Sequence, residues 1–329
     1  MTATREISLD TIRNAAGYVY AAAVRTPLIR LDLPGDNSRT TPAGEPLEVY
    51  LKLETLQPIG SFKIRGAFNA IRQIPPRERA EGVWTVSAGN AAQGVALAAR
   101  LLGAPCSVMV IDTAPETKKN ALRRLGAEIV SASWDEAWET VERHASDRMR
   151  GHFVHPFDDD RFISGNGTAG LEIVEDLPDV DAVVAAVGGG GLVAGVATAC
   201  KALRPAVRVF GAEPETASPL AYSLAQGEPG AFPGWEASFV DGAGGKSLIP
   251  TMWPLLSRLV DGSITVPLDA VARAMRLVAE RTHVIAEGAA ACAVGAALSG
   301  AAGPGKVVAV VSGGNVDLDR FASLVGATG

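Results

Sequence analysis

The chain has 329 residues and carries 30 Lys and Arg against 36 Asp and Glu, a formal net charge of −6. With 47% hydrophobic and 20% charged residues it has the balance of a globular protein, not a disordered or fibrous one. Net acidity without a basic run argues against nucleic acid as the main partner, and the length predicts two lobes with a cleft between them.

From the N-terminus, MTATREISLDTIRNAAGYVYAAAV lacks a basic start followed by a long apolar run, so no secretory signal is expected and the chain reads as cytoplasmic. The most apolar segments, residues 181–187 and 307–311, are too short to span a bilayer. Residues 32–46 read as a turn-rich surface loop. Alternation then sets in: a strand at 83–87, a helix from about 91 to 102, a strand at 106–111, a helix at 115–125, a strand at 128–131 and a helix at 137–149. Further strands are expected at 182–187, 207–212 and 307–311. Helical periodicity centres on Ile173, Ala199 and Ala279. Such alternation builds parallel sheets flanked by helices, and ligands collect where strands end and helices begin. Cys106, Cys200 and Cys292 lack CxxC spacing and read as packing residues, neither disulfides nor metal ligands.

Four positions of that kind have unusual residues. Gly188, Gly189, Gly190, Gly191 and Leu192 follow the strand DAVVAAV and open a helix. Amides without Cβ atoms can curl around an anion, and the helix start adds its positive end, so one phosphate is the expected guest. The spacing is neither GxGxxG nor GxxxxGK[ST]. Ser61-Phe62-Lys63 places one of only seven lysines at a helix start, against the dipole, where the amine is open to a lowered pKa and imine chemistry; a solvated surface lysine is the bland alternative. Ser87-Ala88-Gly89-Asn90-Ala91 joins a strand to a helix, so Ser87 or Asn90 is either the N-cap or part of a carboxylate-binding turn. Ser312-Gly313-Gly314-Asn315 ends the strand KVVAVV, where a hydroxyl can meet a ligand nitrogen or cap the last helix.

SFKIRGA, SAGNxAQGVA, GGGGL and SGGN, in this order and flanked by LKLETLQPIG, VFGAEPE and RTHVIAEGAA, resemble the threonine/serine dehydratase branch of the fold-type II pyridoxal-phosphate enzymes over nearly the whole chain. The resemblance implies an α/β architecture of two open twisted sheets flanked by helices. It implies a smaller lobe at residues 56–152 inserted into a larger one formed by 1–55 and 153–329. It implies pyridoxal 5'-phosphate joined to Lys63 as an imine, Phe62 against its ring and Asn90 at its 3-oxygen. Gly188 to Gly191 and Leu192 would hold its phosphate, and Ser312 would meet its ring nitrogen. Ser87, Gly89, Asn90 and Ala91 would grip the substrate carboxylate, with one backbone contact from Gly242. The implied reaction converts a β-hydroxy-α-amino acid to a 2-oxo acid and ammonia, in a homodimer.

The alternatives are a racemase or β-replacement synthase on the same cofactor, and a non-catalytic binding protein. Racemases of the group resemble SSGN where this chain has Ala88, which cannot carry a proton. Ala91 stands where dehydratases usually have histidine, which leaves room for a larger β-substituent. Trp235, Trp253 and Phe239 are candidates to line that room, with core packing as their plainer role. Some relatives bind a divalent ion through an acidic pair; Glu213 matches its first member but Pro219 replaces the second, so no metal site is expected. Glu287 reads adequately as a charge at the start of the following helix, and His144, His152, His155 and His283 receive no role.

Overall fold

The computed structural model describes residues 5–33 and 39–327. The loop expected at 32–46 lies partly outside them. Its strands are β1 (Leu28–Arg30), β2 (Arg39–Thr40), β3 (Pro46–Lys52), β4 (Val83–Val86), β5 (Cys106–Ile111), β6 (Glu128–Ala132), β7 (His152–Phe153), β8 (Ala182–Ala186), β9 (Arg208–Pro214), β10 (Gly262–Val266) and β11 (Gly305–Val310). The first helices are α1 (Leu9–Val19), α2 (Lys63–Arg72), α3 (Pro76–Ala80), α4 (Asn90–Leu101), α5 (Glu116–Arg124) and α6 (Trp134–Arg143). After β7 come α7 (Asp160–Asp176), α8 (Gly191–Leu203), α9 (Pro219–Gln226), α10 (Trp253–Leu259), α11 (Leu268–Thr282), α12 (Gly288–Leu298) and α13 (Leu318–Gly326).

The fold is α/β with two open sheets flanked by helices. The larger sheet has the order β1-β3-β11-β8-β9-β10, with β2 also on β3; only β1 and β2 are antiparallel to their neighbour. The smaller is wholly parallel, in the order β6-β5-β4-β7. Strand β8 illustrates why both faces are covered: Ala182 and Val184 pack into the core with Met275 and Cys292 of α11 and α12, whereas Val183 and Ala185 pack with Ile163 and Val193 of α7 and α8. Alternate residues point to opposite faces, so a strand this uniformly apolar needs helices on both.

The expected strands recur as β4, β5, β6, β8, β9 and β11, with small shifts at their ends. Strand β3 was not among them, because PLEVYLK mixes charged and apolar residues and hides its role next to β11. The helix expected at 137–149 is displaced. It starts where the Ser133 hydroxyl accepts from Glu136 N, and it stops at His144, whose φ of 56° is left-handed. Cys200 and Cys292 are buried as expected, but Cys106 is only half-buried.

Helices α7 and α8 approach closely through glycines. A Cβ at Gly195 would run into Ile163 O and stand 2.7 Å from Gly167 N, so no side chain fits. Gly195→Ala is expected to cost about 1–3 kcal/mol, read as a lowered urea midpoint at unchanged slope.

One polar cluster lies wholly inside the fold. Arg65 of α2 donates to both oxygens of Glu54 (Nε to Oε2 and Nη2 to Oε1, each 2.8 Å) and to both oxygens of Glu172 on α7 (2.6 and 2.9 Å). Lys52, at the end of β3, lies 2.6 Å from Glu172 and donates to Thr26 O at 2.7 Å. All four charged side chains are fully buried. Two cations meet two anions, so the cluster is neutral and each charge has hydrogen-bonded partners, the condition under which buried charge is tolerated. It ties the large sheet and α7 to the helix that begins with Lys63.

Candidate active site

Helix α2 begins at Lys63, after a turn in which Gly60 adopts φ 70° and donates to Gln57 O at 2.7 Å. The strand β11 delivers Ser312 alongside that turn. Phe62 N donates to Ser312 O (3.0 Å), Gly314 N to Gly60 O (2.9 Å), and Ser61 bridges Gly313 in antiparallel fashion. Two of the four sequence signals are thus joined through backbone. Gly188 to Gly191 arise from β8, the neighbour of β11, so the glycine loop and Ser312 leave adjacent strand ends.

The Lys63 side chain crosses to Pro156 O, which accepts its Nζ hydrogen at 2.7 Å. Nζ stands 5.2 Å from the Phe62 ring centroid and 5.4 Å from that of Phe162. Enclosure among these groups lowers its pKa to about 8, and the charge of Glu287 partly opposes the change. Burial is therefore the leading cause that depresses this amine. The receiving carbonyl is held by His155, whose Nδ1 accepts from Phe157 N (3.3 Å) and Asp158 N (2.8 Å). Burial drives the His155 pKa down to about 3, so the ring is neutral and available as an acceptor. The sequence alone assigned His155 nothing; two backbone donors next to it in the chain were not detectable from its spacing.

Around the glycine loop, a Cβ on Gly188 would stand 2.8 Å from Gly242 O, one on Gly190 2.5 Å from Leu256 and one on Gly191 2.7 Å from Phe157 O. Gly189 is covered by the Phe157 ring. Gly190 is the N-cap of α8 with φ 86°, and no side chain caps that helix. The loop is therefore backbone alone, tightly backed on one side, and Leu192 behind it is buried. The backbone of Gly242 comes up beside Gly188.

At α4 the N-cap is Gly89, with no side-chain cap hydrogen bond. Neither Ser87 nor Asn90 caps the helix. The Ser87 hydroxyl instead accepts from Gly89 N at 3.1 Å, and the methyl of Ala91 is buried. Asn90 turns away towards the large sheet. Its Nδ2 donates to Glu287 Oε1 at 2.8 Å, and its Oδ1 accepts from Asn315 Nδ2 at 2.7 Å. Glu287 does stand at the helix start, as its position suggested: it is the N-cap residue of α12, but its side chain makes no cap hydrogen bond there and reaches Asn90 instead. Asn90 and Glu287 are 197 residues apart in the chain, and only the motif HVIAEGAA hinted at proximity.

Trp253 and Phe239 pack against the two core faces. Trp235 sits in the loop after α9, donates to Gly244 O at 2.9 Å and lies 4.4 Å beneath Lys246 Nζ. The Glu213 carboxylate is occupied by Leu220 N and Ala221 N at 2.8 Å each and by the Ser263 hydroxyl at 2.6 Å.

The arrangement concentrates an amine of lowered pKa, a side-chain-free anion loop, a hydroxyl at a strand end and uncapped helix amides. Residues 19–313 match the family described as "Pyridoxal-phosphate dependent enzyme". The L-threonine ammonia-lyase of Thermotoga maritima is 42% identical over 281 residues, which span 84% of this chain and 70% of that protein. The protein called L-threonine dehydratase catabolic TdcB of Staphylococcus aureus is 37% identical over 329 residues, 97% of this chain and 92% of that one. Among solved structures, threonine deaminase isoform 2 from Solanum lycopersicum, in its processed form, superposes with a TM-score of 0.83 at 31% identity, covering 100% of this chain and 97% of that one. Maize serine racemase superposes with a TM-score of 0.84 at 32% identity, covering 98% and 97%.

Proposed function

The chain belongs to the pyridoxal-phosphate-dependent enzymes, and from that premise we propose that it is an ammonia-lyase that converts L-threonine, L-serine or a bulkier β-hydroxy-α-amino acid to a 2-oxo acid and ammonia. The single observation that carries this reading is Lys63, whose amine is enclosed, lowered in pKa and held on Pro156 O at the meeting point of the four motifs. The relatives named above, including two called L-threonine ammonia-lyase and L-threonine dehydratase, support the substrate class.

The residues suit the cofactor. The glycine loop admits no side chain at any of its four positions. The buried hydroxyl of Ser61, the residue that lies two before Lys63 and bridges Gly313, has no hydrogen-bond partner among the described residues, which suits a polar guest. Bound there, pyridoxal phosphate supplies an electron sink for the α-carbon of an amino acid. In our assignment the amides of Gly188 to Leu192 hold the phosphate, Phe62 packs on the ring, Asn90 donates to its oxygen and Ser312 meets its nitrogen. Ser87 and the amides of Gly89, Asn90 and Ala91, with Gly242, hold the substrate carboxylate.

Lys63 Nζ would take the α-proton of the bound amino acid and keep it on one face. The opposite face offers Ala88, which carries no exchangeable proton, so return from that side is blocked and departure of the β-hydroxyl prevails over inversion. Loss and return of water leave ammonia and a 2-oxo acid. The reading extends to a cytoplasmic homodimer with a smaller lobe at residues 56–152. Among the described residues no helix is long and apolar enough to cross a membrane.

Purified, B6-saturated protein offered a panel of L-β-hydroxy amino acids is expected to release ammonia and 2-oxo acid in equal amounts, with inversion at least about ten times slower. Faster inversion would make it a racemase; product only in the presence of an added thiol would make it a β-replacement synthase. A cofactor band that shifts with amino acid and yields neither product would make it a binding protein.

A further inference from the structure

The amide of Asn90 is held at both edges. Asn315 Nδ2 donates to Asn90 Oδ1 (2.7 Å) and to Ile59 O (2.8 Å), so its own orientation is dictated by a backbone carbonyl. Glu287 Oε1 accepts from Asn90 Nδ2 at 2.8 Å, and Glu287 is fastened to the same loop by Glu287 N donating to Gly313 O at 2.9 Å. An ionised carboxylate only accepts, so it admits only the amide orientation with nitrogen towards it. One Nδ2 hydrogen is spent on Glu287. The second remains for the cofactor oxygen that our functional reading gives to Asn90.

We propose that Glu287 is the positioning residue of the Asn90 amide, and that its ionisation locks the donor edge towards the cofactor while its protonation releases it. The inference rests on the functional reading above. A protonated Glu287 presents an O–H that competes with Asn315 for Asn90 Oδ1, and the amide then keeps one of its two holds, that of Asn315. Burial and the nearby charge of Asp241 raise the Glu287 pKa to about 7, with the Asn90 hydrogen bond and Lys118 opposing. The charged groups around this carboxyl are Lys63 at the start of α2, Lys118 on α5 and Asp241 beside Gly242; α4 contributes only the neutral Asn90. Lys118 and Asp241 also pair with each other at 2.9 Å on the surface.

Below pH of about 7 the carboxyl is neutral and the lock is open; above it the lock is closed. The folded state binds this proton more tightly than the unfolded chain, so stability is lost as pH rises from 4.5 to about 7, and above that the loss stays constant.

The test reads the visible band of the B6-saturated protein against pH, together with the melting temperature of cofactor-free protein. The parent is expected to show a spectral step near pH 7. Glu287→Gln should abolish that step while retaining the band, and should melt higher than the parent at pH 8 but not at pH 5. Asp241→Asn and Lys118→Met alter exposed residues and should move the step in opposite directions, the first to lower and the second to higher pH, by about half a unit each. A residue that only fills space would give none of these movements. A parent-like step in Glu287→Gln, or shifts of one sign in both surface variants, would overturn the proposal. A band without any step in the parent would overturn it while leaving the functional reading intact; no band at all would overturn both.

Discussion

Lys63→Ala is expected to release ammonia at least about a thousandfold more slowly than the parent, since in the proposed assignment one substitution removes both the anchor of the cofactor and the base for the α-proton. The enclosure of this amine gives the size of what is lost. At its ordinary pKa of 10.5 about one lysine in three thousand is neutral at pH 7, whereas at about 8 the fraction is about one in ten. Borohydride reduction followed by peptide mass spectrometry should add the B6 group to Lys63 and to no other lysine. A Lys63→Ala protein as active as the parent, or label confined to another lysine, would end the functional reading. Stability should move the other way. A lysine whose folded pKa lies below its unfolded value burdens the fold at pH below about 8, and the burden fades as pH rises through 10.5. Cofactor-free Lys63→Met should therefore melt above the parent at pH 7, with the gain shrinking in alkali.

Arg65→Ala is expected to be the most damaging substitution for folding, at about 3–5 kcal/mol, because it strands Glu54 and Glu172 in the interior without their shared cation. Burial alone would raise the Glu172 pKa, but Arg65 and Lys52 outweigh it and hold the carboxyl below its usual range. That carboxylate accordingly stabilises the fold above its unfolded pKa and ceases to do so as pH falls through its lower, folded value. Urea unfolding at pH 7 measures the loss, and the gap between parent and variant should narrow in acid as Glu172 takes up its proton. Arg65→Lys should recover only part of it, since a point charge cannot make the forked pairing that Nε and Nη2 make with Glu54. Catalysis should suffer too. Arg65 lies two residues beyond Lys63 on the same helix, and release of its ties to Glu54 and α7 frees the amine from its seat on Pro156. A variant as stable as the parent would remove the case for the cluster as the anchor of α2.

The division between what could be read from residues and what could not follows the range of the forces involved. Strand β5 and the start of α4 were readable because uniform apolar runs, and the punctuation between strand and helix, are local properties. The glycine loop was readable for the same reason: four adjacent residues without Cβ atoms state their need for close backbone approach whatever lies opposite. The amine of Lys63 was singled out by scarcity and by its misfit with the helix dipole, although the lowered pKa proves to come from enclosure by Phe62, Phe162 and the Pro156 turn. Strand β3, written in mixed polar and apolar residues, takes its place in the sheet by pairing with β1 and β2 and with β11, which sets Gly305, far along the chain, against Leu47. Separations of 197 and 225 positions likewise hid the partners of Asn90. Order along the chain determined which chemistries were available and where each backbone would turn. Which carboxylate faces which amide, and which cation neutralises which acid, was decided by two sheets closing on one another, because charge and hydrogen bonds act over ångströms in space and are blind to separation in sequence.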